Sequence, residues 1–425
     1  MSENLNDIPP AIPLIVDALK ASESLTDARK NIKALIPELK QQSEFYYTST
    51  IKTQNKSYGF EIYLDSALDP FSPTGCQAGP CRILQAKNIS RSMGLIGDRV
   101  WLTDFFTESF LDLGRVTNVK LEKIIGDGLV LTELYPLISA GIIKFQRPFI
   151  VSCKGCLNVF ENTIDNIVEN LLDEYEEEIS ISHQENGECH IDTGSFFTPT
   201  IIINAKAGSV PISATKREIT QAVIHRAVRE TAWMARNAGI GEGTIFSNSK
   251  IGLAGLRLQD GKSFSRKSLA VLDNQNGFDI PWVSNLNPEQ ILQLRQEACK
   301  ALPQFREIFI KNSDIELYKD TDGTNRARKE FIYELREQAA EVKAELESAQ
   351  KHSTKYWKTT FGLIGLGAVA YGAATNQLGI SFTGLLAMIN LLTTHKSGHE
   401  KSIDELTRKP GYVLIKAQDI LAHAD

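Results

Sequence analysis

Several classes of protein are excluded by what this sequence lacks. Its 425 residues include only six cysteines, too few for a disulfide scaffold, and its formal net charge of -6 argues against general binding to the phosphates of DNA. The first residues show no basic stretch followed by an apolar one, so we expect no secretory signal. Internal repeats, low-complexity tracts and the catalytic motifs GxSxG and HExxH are also missing. We therefore expect reduced thiols in a cytoplasm and no nucleic-acid partner.

The hydrophobic pattern predicts a mixed α/β fold. Hydrophobic residues make up 42% of the chain and charged residues 23%, as in ordinary globular proteins. Runs of β-formers alternate with amphipathic helical runs between Tyr58 and Ile310, which favours a mixed sheet with flanking helices and at least one parallel crossover. We predict an N-terminal helical segment (1–50), a mixed α/β body (51–320), a long amphipathic helix (321–352), an apolar helical hairpin (353–400) and a C-terminal helical tail (401–425).

An uncharged run near the C-terminus is the most specific feature of the sequence. Between Thr359 and Thr394 there is no Asp, Glu, Lys, Arg or His, and residues 376–379 divide the run into two arms. Each arm is marginally short for a membrane span, which needs about 20 residues. Residues suited to a membrane interface flank the run: Tyr356, Trp357, Lys358 and Lys396. The pattern predicts a hairpin that anchors in or perturbs the inner membrane from its cytoplasmic face, with lipid as a partner; a buried hairpin in a cytoplasmic protein is the alternative.

The helix that precedes this run carries a narrow apolar seam. Apolar residues recur there at heptad-like intervals: Phe331, Leu335, Ala339, Val342, Leu346 and Ala349. Such a seam packs either against the α/β body or against a second copy of the chain. The segment 324–352 is therefore predicted to be a helix that lies on the body or joins a homo-oligomer.

Four of the cysteines occur as two close pairs. Cys76 and Cys81 lie in a stretch rich in Gly and Pro, and Cys153 and Cys156 form a CxxC sequence after a predicted strand. Zn²⁺ prefers four thiolate or imidazole ligands in tetrahedral geometry, so the two pairs together predict a structural zinc site. Four unligated thiols are the alternative. No other cofactor is indicated.

Two groups of charged residues are candidates for chemistry. Asp98, Asp104 and Glu108 are expected to cluster around one end of a predicted strand, and carboxylates at a strand's carboxyl end can hold Mg²⁺ for phosphoryl chemistry. The alternative is that Asp104 caps a helix. The second group shares one face of a predicted helix: His225, Arg229 and Arg236. That face could bind an anion, or its cations could pair with neighbouring carboxylates.

Three stretches carry a resemblance to other proteins. They read AKNISRSMGLIGDRVWLTDFFTESF, LYPLISAGIIKFQRPFIVSCKGC and DIPWVSNLNPEQILQLRQEACKALPQFREIFI. They resemble segments of uncharacterised bacterial proteins that occur among phage-defence and mobile-element genes. The resemblance implies a bacterial setting, in phage defence, and brings no catalytic signature with it.

Together these features predict a membrane-associated bacterial sensor, effector or regulatory protein. A cytoplasmic α/β body would sense a ligand or partner, and the C-terminal hairpin would act on the membrane. Two alternatives remain open: a soluble metal-dependent phosphoesterase or nuclease that uses Asp98 and Asp104, and a zinc-stapled adaptor. Whether the chain is an enzyme is left open by the sequence.

Overall fold

The chain folds into two compact units, Met1–Phe278 and Asp279–Asp425, each with its own buried apolar residues. The computed structural model describes residues 8–48, 59–65, 68–72, 78–147, 153–177, 179–183, 188–192, 201–204, 214–240, 243–247, 249–258, 269–271, 282–313, 333–346 and 404–423.

Helices and strands alternate along the first unit, which confirms the predicted mixed α/β fold. Its helices are α1 Ala11–Lys20, α2 Leu25–Thr48, α3 Gly79–Asn88, α4 Gly94–Ile96, α5 Phe105–Glu108, α6 Asn118–Ser139, α7 Lys154–Tyr175, α8 Lys216–Ile240 and α9 Lys250–Leu258. Its strands are β1 Glu61–Leu64, β2 Arg99–Thr103, β3 Ile143–Gln146, β4 Ser180–His183, β5 Glu188–Asp192, β6 Ile201–Asn204, β7 Thr244–Ser247 and β8 Leu269–Val271. A π-helical turn, Ile89–Met93, joins α3 to α4.

Five of the strands form one parallel sheet, in the order β3-β2-β1-β7-β8. Ile62 of β1 pairs with Val100 of β2 on one side and with Thr244 of β7 on the other. The chain therefore builds outward from β1 to β3 and then returns to the opposite side of β1. This reversal makes the boundary between β1 and β7 the topological switch point of a doubly wound sheet. Strands β4, β5 and β6 form a separate antiparallel sheet.

Helices cover the parallel sheet. All four residues of β1 are buried, as is normal for a central strand of a parallel sheet whose faces both carry helices. Helix α8 packs against β1 and β7 and also against α7 and α9, while α6 packs against β3, α1 and α3. The position of α8 matters for function, because it links the switch point to the N-terminal part of the α7 helix.

The described part of the second unit is helical, with one helix at its buried centre. After a 3₁₀ turn at Val283–Asn285, its helices are α10 Pro288–Glu297, α11 Leu302–Ser313, α12 at residues 333–346 and α13 Gly411–Ala422. Helix α13 packs against α10 and α11, and its first seven residues are buried. One of them, Lys416, has its ammonium 3.4 Å from the Glu297 carboxylate and 3.5 Å from that of Asp419. A capping box between Asn287 and Gln290 begins α10.

The apolar seam predicted before the uncharged run is partly visible in α12. Four of its six residues lie in the described part of the chain, and all four are buried: Leu335, Ala339, Val342 and Leu346. Gly411, at the start of α13, lies so close to α12 that an added Cβ would meet the backbone oxygen of Gln338 at 2.5 Å. The Lys409 ammonium also pairs with Glu345 of α12 at 2.9 Å. Helix α12, which carries the described part of the seam, therefore lies against the start of α13 in its own unit.

One local prediction is wrong. Asp260 and Gly261, between two β-compatible runs, predict a β-hairpin over residues 250–273. Instead, the first run forms helix α9, and β8 pairs in parallel with β7. Parallel neighbours require a crossover connection, which a tight hairpin cannot provide. The Ser249 hydroxyl accepts a hydrogen bond from the Gly252 N–H at 3.1 Å and so favours a helical first turn.

The predicted membrane function is contradicted. Within the described ranges, no helix combines the length and the apolar character that a bilayer crossing requires. Helix α6, for example, is 22 residues long but carries Lys120, Glu122, Lys123, Asp127 and Glu133. The uncharged run Thr359–Thr394 and its flanking residues Tyr356, Trp357, Lys358 and Lys396 lie outside the described residues.

The close approach of α9 to α8 gives a test of the fold. A Cβ at Gly252 would lie 2.7 Å from the Cβ of Thr231 on α8, so Gly252→Ala should lower the free energy of unfolding by about 1–3 kcal/mol through overpacking. Gly239, also on α8, has nothing within 4 Å of a built Cβ, and Gly239→Ala should leave stability within about 1 kcal/mol of wild type. Urea unfolding followed by circular dichroism measures both, and equal effects of the two substitutions would contradict the packing described.

Candidate functional site

A buried carboxylate, Asp65, holds the switch point together. It follows β1 directly, and its Oδ2 atom accepts hydrogen bonds from the hydroxyl of Thr231 on α8, at 2.7 Å, and from that of Ser247 at the end of β7. The Asp65 N–H donates to the Phe246 carbonyl oxygen at 2.8 Å, which extends the pairing of β1 with β7. Asp65 therefore joins three elements that meet at the carboxyl edge of the sheet.

A second buried carboxylate, Asp69, ties the segment after β1 to the end of β2. Its Oδ2 atom accepts a hydrogen bond from the Thr103 N–H at 2.8 Å, and its Oδ1 atom accepts one from the Phe71 N–H at 2.9 Å. Burial raises the pKa of Asp69 to about 7, although these two N–H donors act in the opposite direction. Both oxygens of Asp69 thus stabilise the local backbone.

The structure places Asp98 and Asp104 at opposite ends of β2. Asp98 precedes the strand and accepts a hydrogen bond from the Phe60 N–H at 2.8 Å, while Asp104 follows it. Six residue steps in an extended strand span about 20 Å, so the two carboxylates cannot share one metal ion. This separation contradicts the phosphoesterase or nuclease interpretation that paired them, because their closeness in sequence does not become closeness in space.

Asp104 has a structural role. It is fully buried, at 0% exposure, and its Oδ1 atom accepts a hydrogen bond from the Thr107 N–H at 3.0 Å at the N-cap of α5. Burial raises the pKa of Asp104 to about 7. Burial also raises the pKa of the half-buried Glu108, with Asp112 contributing in the same direction. The capping alternative for Asp104 is therefore what the structure contains.

The predicted zinc site is also contradicted. No group of three or more His, Cys, Asp or Glu side chains in the described ranges is placed to hold a metal ion. Cys81, Cys153 and Cys156 are exposed and outside any disulfide, and Cys76 lies beyond the part of the chain that the structure describes. Tetrahedral zinc needs four ligands, so the CxxC pair alone cannot complete such a site.

The CxxC pair forms a distinct dithiol site at the N-terminus of α7. Cys153 is the N-cap residue of this 22-residue helix, and its sulfur accepts a hydrogen bond from the Cys156 N–H at 3.3 Å. That bond, together with one from the Cys156 thiol, lowers the pKa of Cys153. The bond to the Cys153 sulfur raises the pKa of Cys156. The two thiols therefore differ in acidity, with the negative charge favoured on Cys153.

An open cavity of about 500 Å³ adjoins the dithiol. The thiols form part of its lining together with apolar side chains of α7 and two residues of α8. The residues from these helices are Leu157, Val159, Phe160, Trp233 and Arg236. Phe160 and Trp233 pack edge to face, with ring centroids 5.4 Å apart, and the Arg236 guanidinium lies 5.2 Å from the Trp233 ring centroid. The volume falls in the range of about 300–1,000 Å³ that is usual for ligand pockets.

The three cations predicted to bind an anion are all on α8, but they have different surroundings. The Arg229 guanidinium donates three hydrogen bonds to the Glu161 carboxylate of α7, the shortest at 2.8 Å. The His225 Nε2 atom lies 3.4 Å from an oxygen of Asp165, also on α7. Arg236 instead lines the cavity beside the dithiol. The structure therefore does not gather the three around one empty position.

The sequence did not reveal the most informative residues at the carboxyl edge of the sheet or in the cavity beside the dithiol. Asp65 and Asp69 carry no recognisable motif, and the Thr231 partner of Asp65 is 166 positions away in the chain. Trp233 and Phe160 meet only because α7 packs on α8. The dithiol did leave a signal: a CxxC sequence directly before an amphipathic helix, which is typical of thiol-based redox sites as well as of zinc sites.

Comparisons with known proteins add no further assignment. No family model, no curated protein and no solved structure matches this chain. Nothing in them bears on the resemblance to phage-defence proteins. The expected role in antiviral defence therefore has no support from these comparisons.

Asp69 and Asp104, the two buried aspartates with a raised pKa, predict a pH dependence of stability. Their pKa of about 7 in the folded chain exceeds the ordinary value of an unfolded aspartate, about 3.9, so the folded state binds more protons between these limits. The free energy of unfolding should therefore fall as pH rises from about 4 to about 7, and level off above that. Asp104→Asn keeps an N-cap acceptor and removes one of the two titrating groups, so it should make the slope shallower by up to about 1.4 kcal/mol per pH unit.

Urea unfolding at several pH values between about 5 and about 8 measures this slope. Glu23→Gln, at an exposed position before α2, is the matched control and should leave the slope unchanged. An Asp104→Asn slope equal to that of wild type would show that this carboxyl group does not titrate in the folded chain as described.

Proposed function

We propose that this chain carries out thiol–disulfide exchange, with Cys153 as the attacking thiol and Cys156 as the resolving thiol. The observation that carries the proposal is a pair of exposed thiols at the N-terminus of a long helix, beside an open cavity, with the Cys153 sulfur accepting a hydrogen bond from the Cys156 N–H. Reactive cysteines are partly exposed and lie where positive electrostatic potential favours the thiolate, whereas structural cysteines are buried. Both members of this pair are exposed, and Cys153 also lies at a helix N-terminus that favours its thiolate.

The roles of the two cysteines follow from their hydrogen bonds. The Cys153 sulfur lies at the positive end of the α7 dipole and accepts the Cys156 N–H, and both effects stabilise a thiolate. The contact with the Cys153 sulfur raises the pKa of Cys156, so Cys156 is the poorer nucleophile until Cys153 has reacted. The thiolate is the attacking species in disulfide exchange, which assigns the first attack to Cys153.

The reaction balances with a disulfide as the only co-reactant. The Cys153 thiolate attacks one sulfur of a partner disulfide, the partner's S–S bond breaks, and a partner thiolate leaves from the mixed disulfide. Once Cys153 is bound in this way, the Cys156 thiol loses its proton to the departing thiolate or to water. Its sulfur then attacks the Cys153 sulfur, which releases the second partner thiol. Two electrons pass from the dithiol to the partner, and a Cys153–Cys156 disulfide remains.

The location of the pair supports exchange over a purely structural role. Residues 154–157 are all exposed, so a partner sulfur can approach Cys153 without any opening of the core. A packing role would place these sulfurs among apolar neighbours, since free cysteine is among the residue types most often buried. The polar groups at the carboxyl edge of the sheet are inaccessible by comparison, because Asp65, Asp69 and Asp104 are all at most 1% exposed.

Finer architectural features at the C-terminus remain predictions of the sequence. We expect α12 to be part of a longer helix over 321–352, because the spacing of its buried residues continues to Phe331 on one side and Ala349 on the other. The apolar helical hairpin over 353–400 is likewise expected from its uncharged pattern, and it lies outside the described residues. The exchange reaction at the dithiol does not depend on either feature.

Alkylation and mixed-disulfide trapping test the proposed function. With the reduced protein near pH 7, iodoacetamide should label Cys153 about tenfold or more faster than an ordinary exposed thiol, because a lowered pKa increases the thiolate fraction. Hydroxyethyl disulfide should convert wild type to the Cys153–Cys156 disulfide, a species that is lighter by two hydrogen atoms. Cys156→Ser should stop at a stable mixed disulfide on Cys153, and Cys153→Ser should form neither product. Mass spectrometry of proteolytic peptides distinguishes these species.

Cys299 provides the matched control for these measurements. It is exposed and outside any disulfide, but it lies in the second unit and has no CxxC partner. Cys299→Ser should leave both the labelling rate of Cys153 and the internal disulfide unchanged. Labelling of Cys153 no faster than that of Cys299, together with no internal disulfide in wild type, would refute the proposal.

A further inference from the structure

The wall of the cavity beside the dithiol is apolar and open to solvent. Val159 is 67% exposed and Leu157 is 39% exposed, while the Phe160–Trp233 pair forms the deeper surface. Charge is supplied to the lining by Arg236, whose guanidinium stacks on Trp233. Exposed apolar side chains grouped around a concave surface mark either a surface that another protein covers or a groove that takes an apolar group.

We infer that the partner of the dithiol is a protein cysteine that lies next to a large apolar side chain in an extended segment. The partner's cysteine would meet Cys153 while the neighbouring side chain enters the cavity between Val159 and Trp233. This inference rests on the proposed exchange reaction and adds its substrate class. It follows from the composition of the cavity wall, where Leu157, Val159 and Phe160 offer apolar surface and no side-chain hydrogen-bonding groups.

Exposure and geometry favour a protein segment over a small disulfide. The N-terminal turn of α7 is exposed along its length, so a chain can pass over Cys153 on the way to the cavity. A volume of about 500 Å³ accommodates an aromatic side chain with room to spare. A small hydrophilic disulfide would leave the apolar wall in water and would gain nothing from it, since burial of apolar surface is what such a wall contributes to binding.

A pair of peptides tests the substrate class. Each is an extended peptide whose single cysteine is held in a mixed disulfide with a chromophoric thiol, and the two differ only in having Phe or Ser beside that cysteine. For wild type, the second-order rate constant of exchange should be about tenfold higher with the Phe peptide, as expected for burial of one large apolar side chain. Hydroxyethyl disulfide is the reference reagent, because it cannot use the cavity.

Two valine substitutions localise the preference. Val159→Asn makes the cavity rim polar without adding charge, and should reduce the Phe-to-Ser rate ratio toward one; the ratio is unaffected by any change in the intrinsic reactivity of Cys153, which both rates share. Val119→Asn changes another exposed valine, 80% exposed on α6 and outside the cavity, and should preserve the full ratio. Valine and asparagine have similar helix propensity, so neither change should unfold its helix.

The outcomes separate this inference from the proposed function. A wild-type ratio near one, with normal exchange of hydroxyethyl disulfide at Cys153, would overturn the inference and leave the proposed function standing. An unchanged ratio in Val159→Asn would also overturn it, because the preference would then arise elsewhere. If Cys153 exchanges with no disulfide at all, both statements fall together. A ratio that is high in wild type and in Val119→Asn, and low in Val159→Asn, supports the inference.

Discussion

The buried Asp65 carboxylate is the constraint on which the arrangement of the first unit depends. It accepts hydrogen bonds from Thr231 on α8 and Ser247 on β7, at the point where the order of the strands reverses. A carboxylate removed from water is strongly destabilising unless such donors satisfy it, so the three groups favour one mutual position. This position fixes the middle of α8 against the sheet. The same helix, only two residues further on, contributes Trp233 to the cavity beside the dithiol.

The contact between α7 and α8 transmits that constraint to the thiols. The two helices pack closely against each other, and each buries apolar residues that stabilise the unit: Ile164, Ile167, Val168 and Leu171 on α7, and Val223, Ile224 and Val228 on α8. The surrounding ion pairs, such as Arg229 with Glu161, are partly exposed and contribute at most about 1 kcal/mol each. These ion pairs favour one alignment of α7 along α8, because a shift of one helical turn would separate the paired charges.

The sequence allowed parts of this arrangement to be predicted and concealed others for physical reasons. Local patterns predicted β1, β2 and α7, because alternation and helical periodicity are properties of neighbouring residues. The prediction that Asp98 and Asp104 lie together was wrong, because the residues between them form an extended strand that holds the two carboxylates far apart. The Asp65 network could not be foreseen at all, since its donors come from α8 and β7 and meet only when the sheet closes. The CxxC pair was visible, but its spacing alone does not distinguish zinc binding from redox chemistry.

Two helix N-cap residues in this chain show what decides whether such a group is structural or reactive. Asp104 and Cys153 occupy the same position, and each accepts a hydrogen bond from the backbone N–H three residues further on, of Thr107 and Cys156 respectively. In both, the N–H donor favours the negative form. For the buried Asp104 the loss of hydration outweighs the donor and raises the pKa, whereas for the exposed Cys153 the donor prevails and lowers it. The same local geometry therefore yields a structural carboxyl group where solvent is excluded, and a nucleophile where solvent and a partner can reach it.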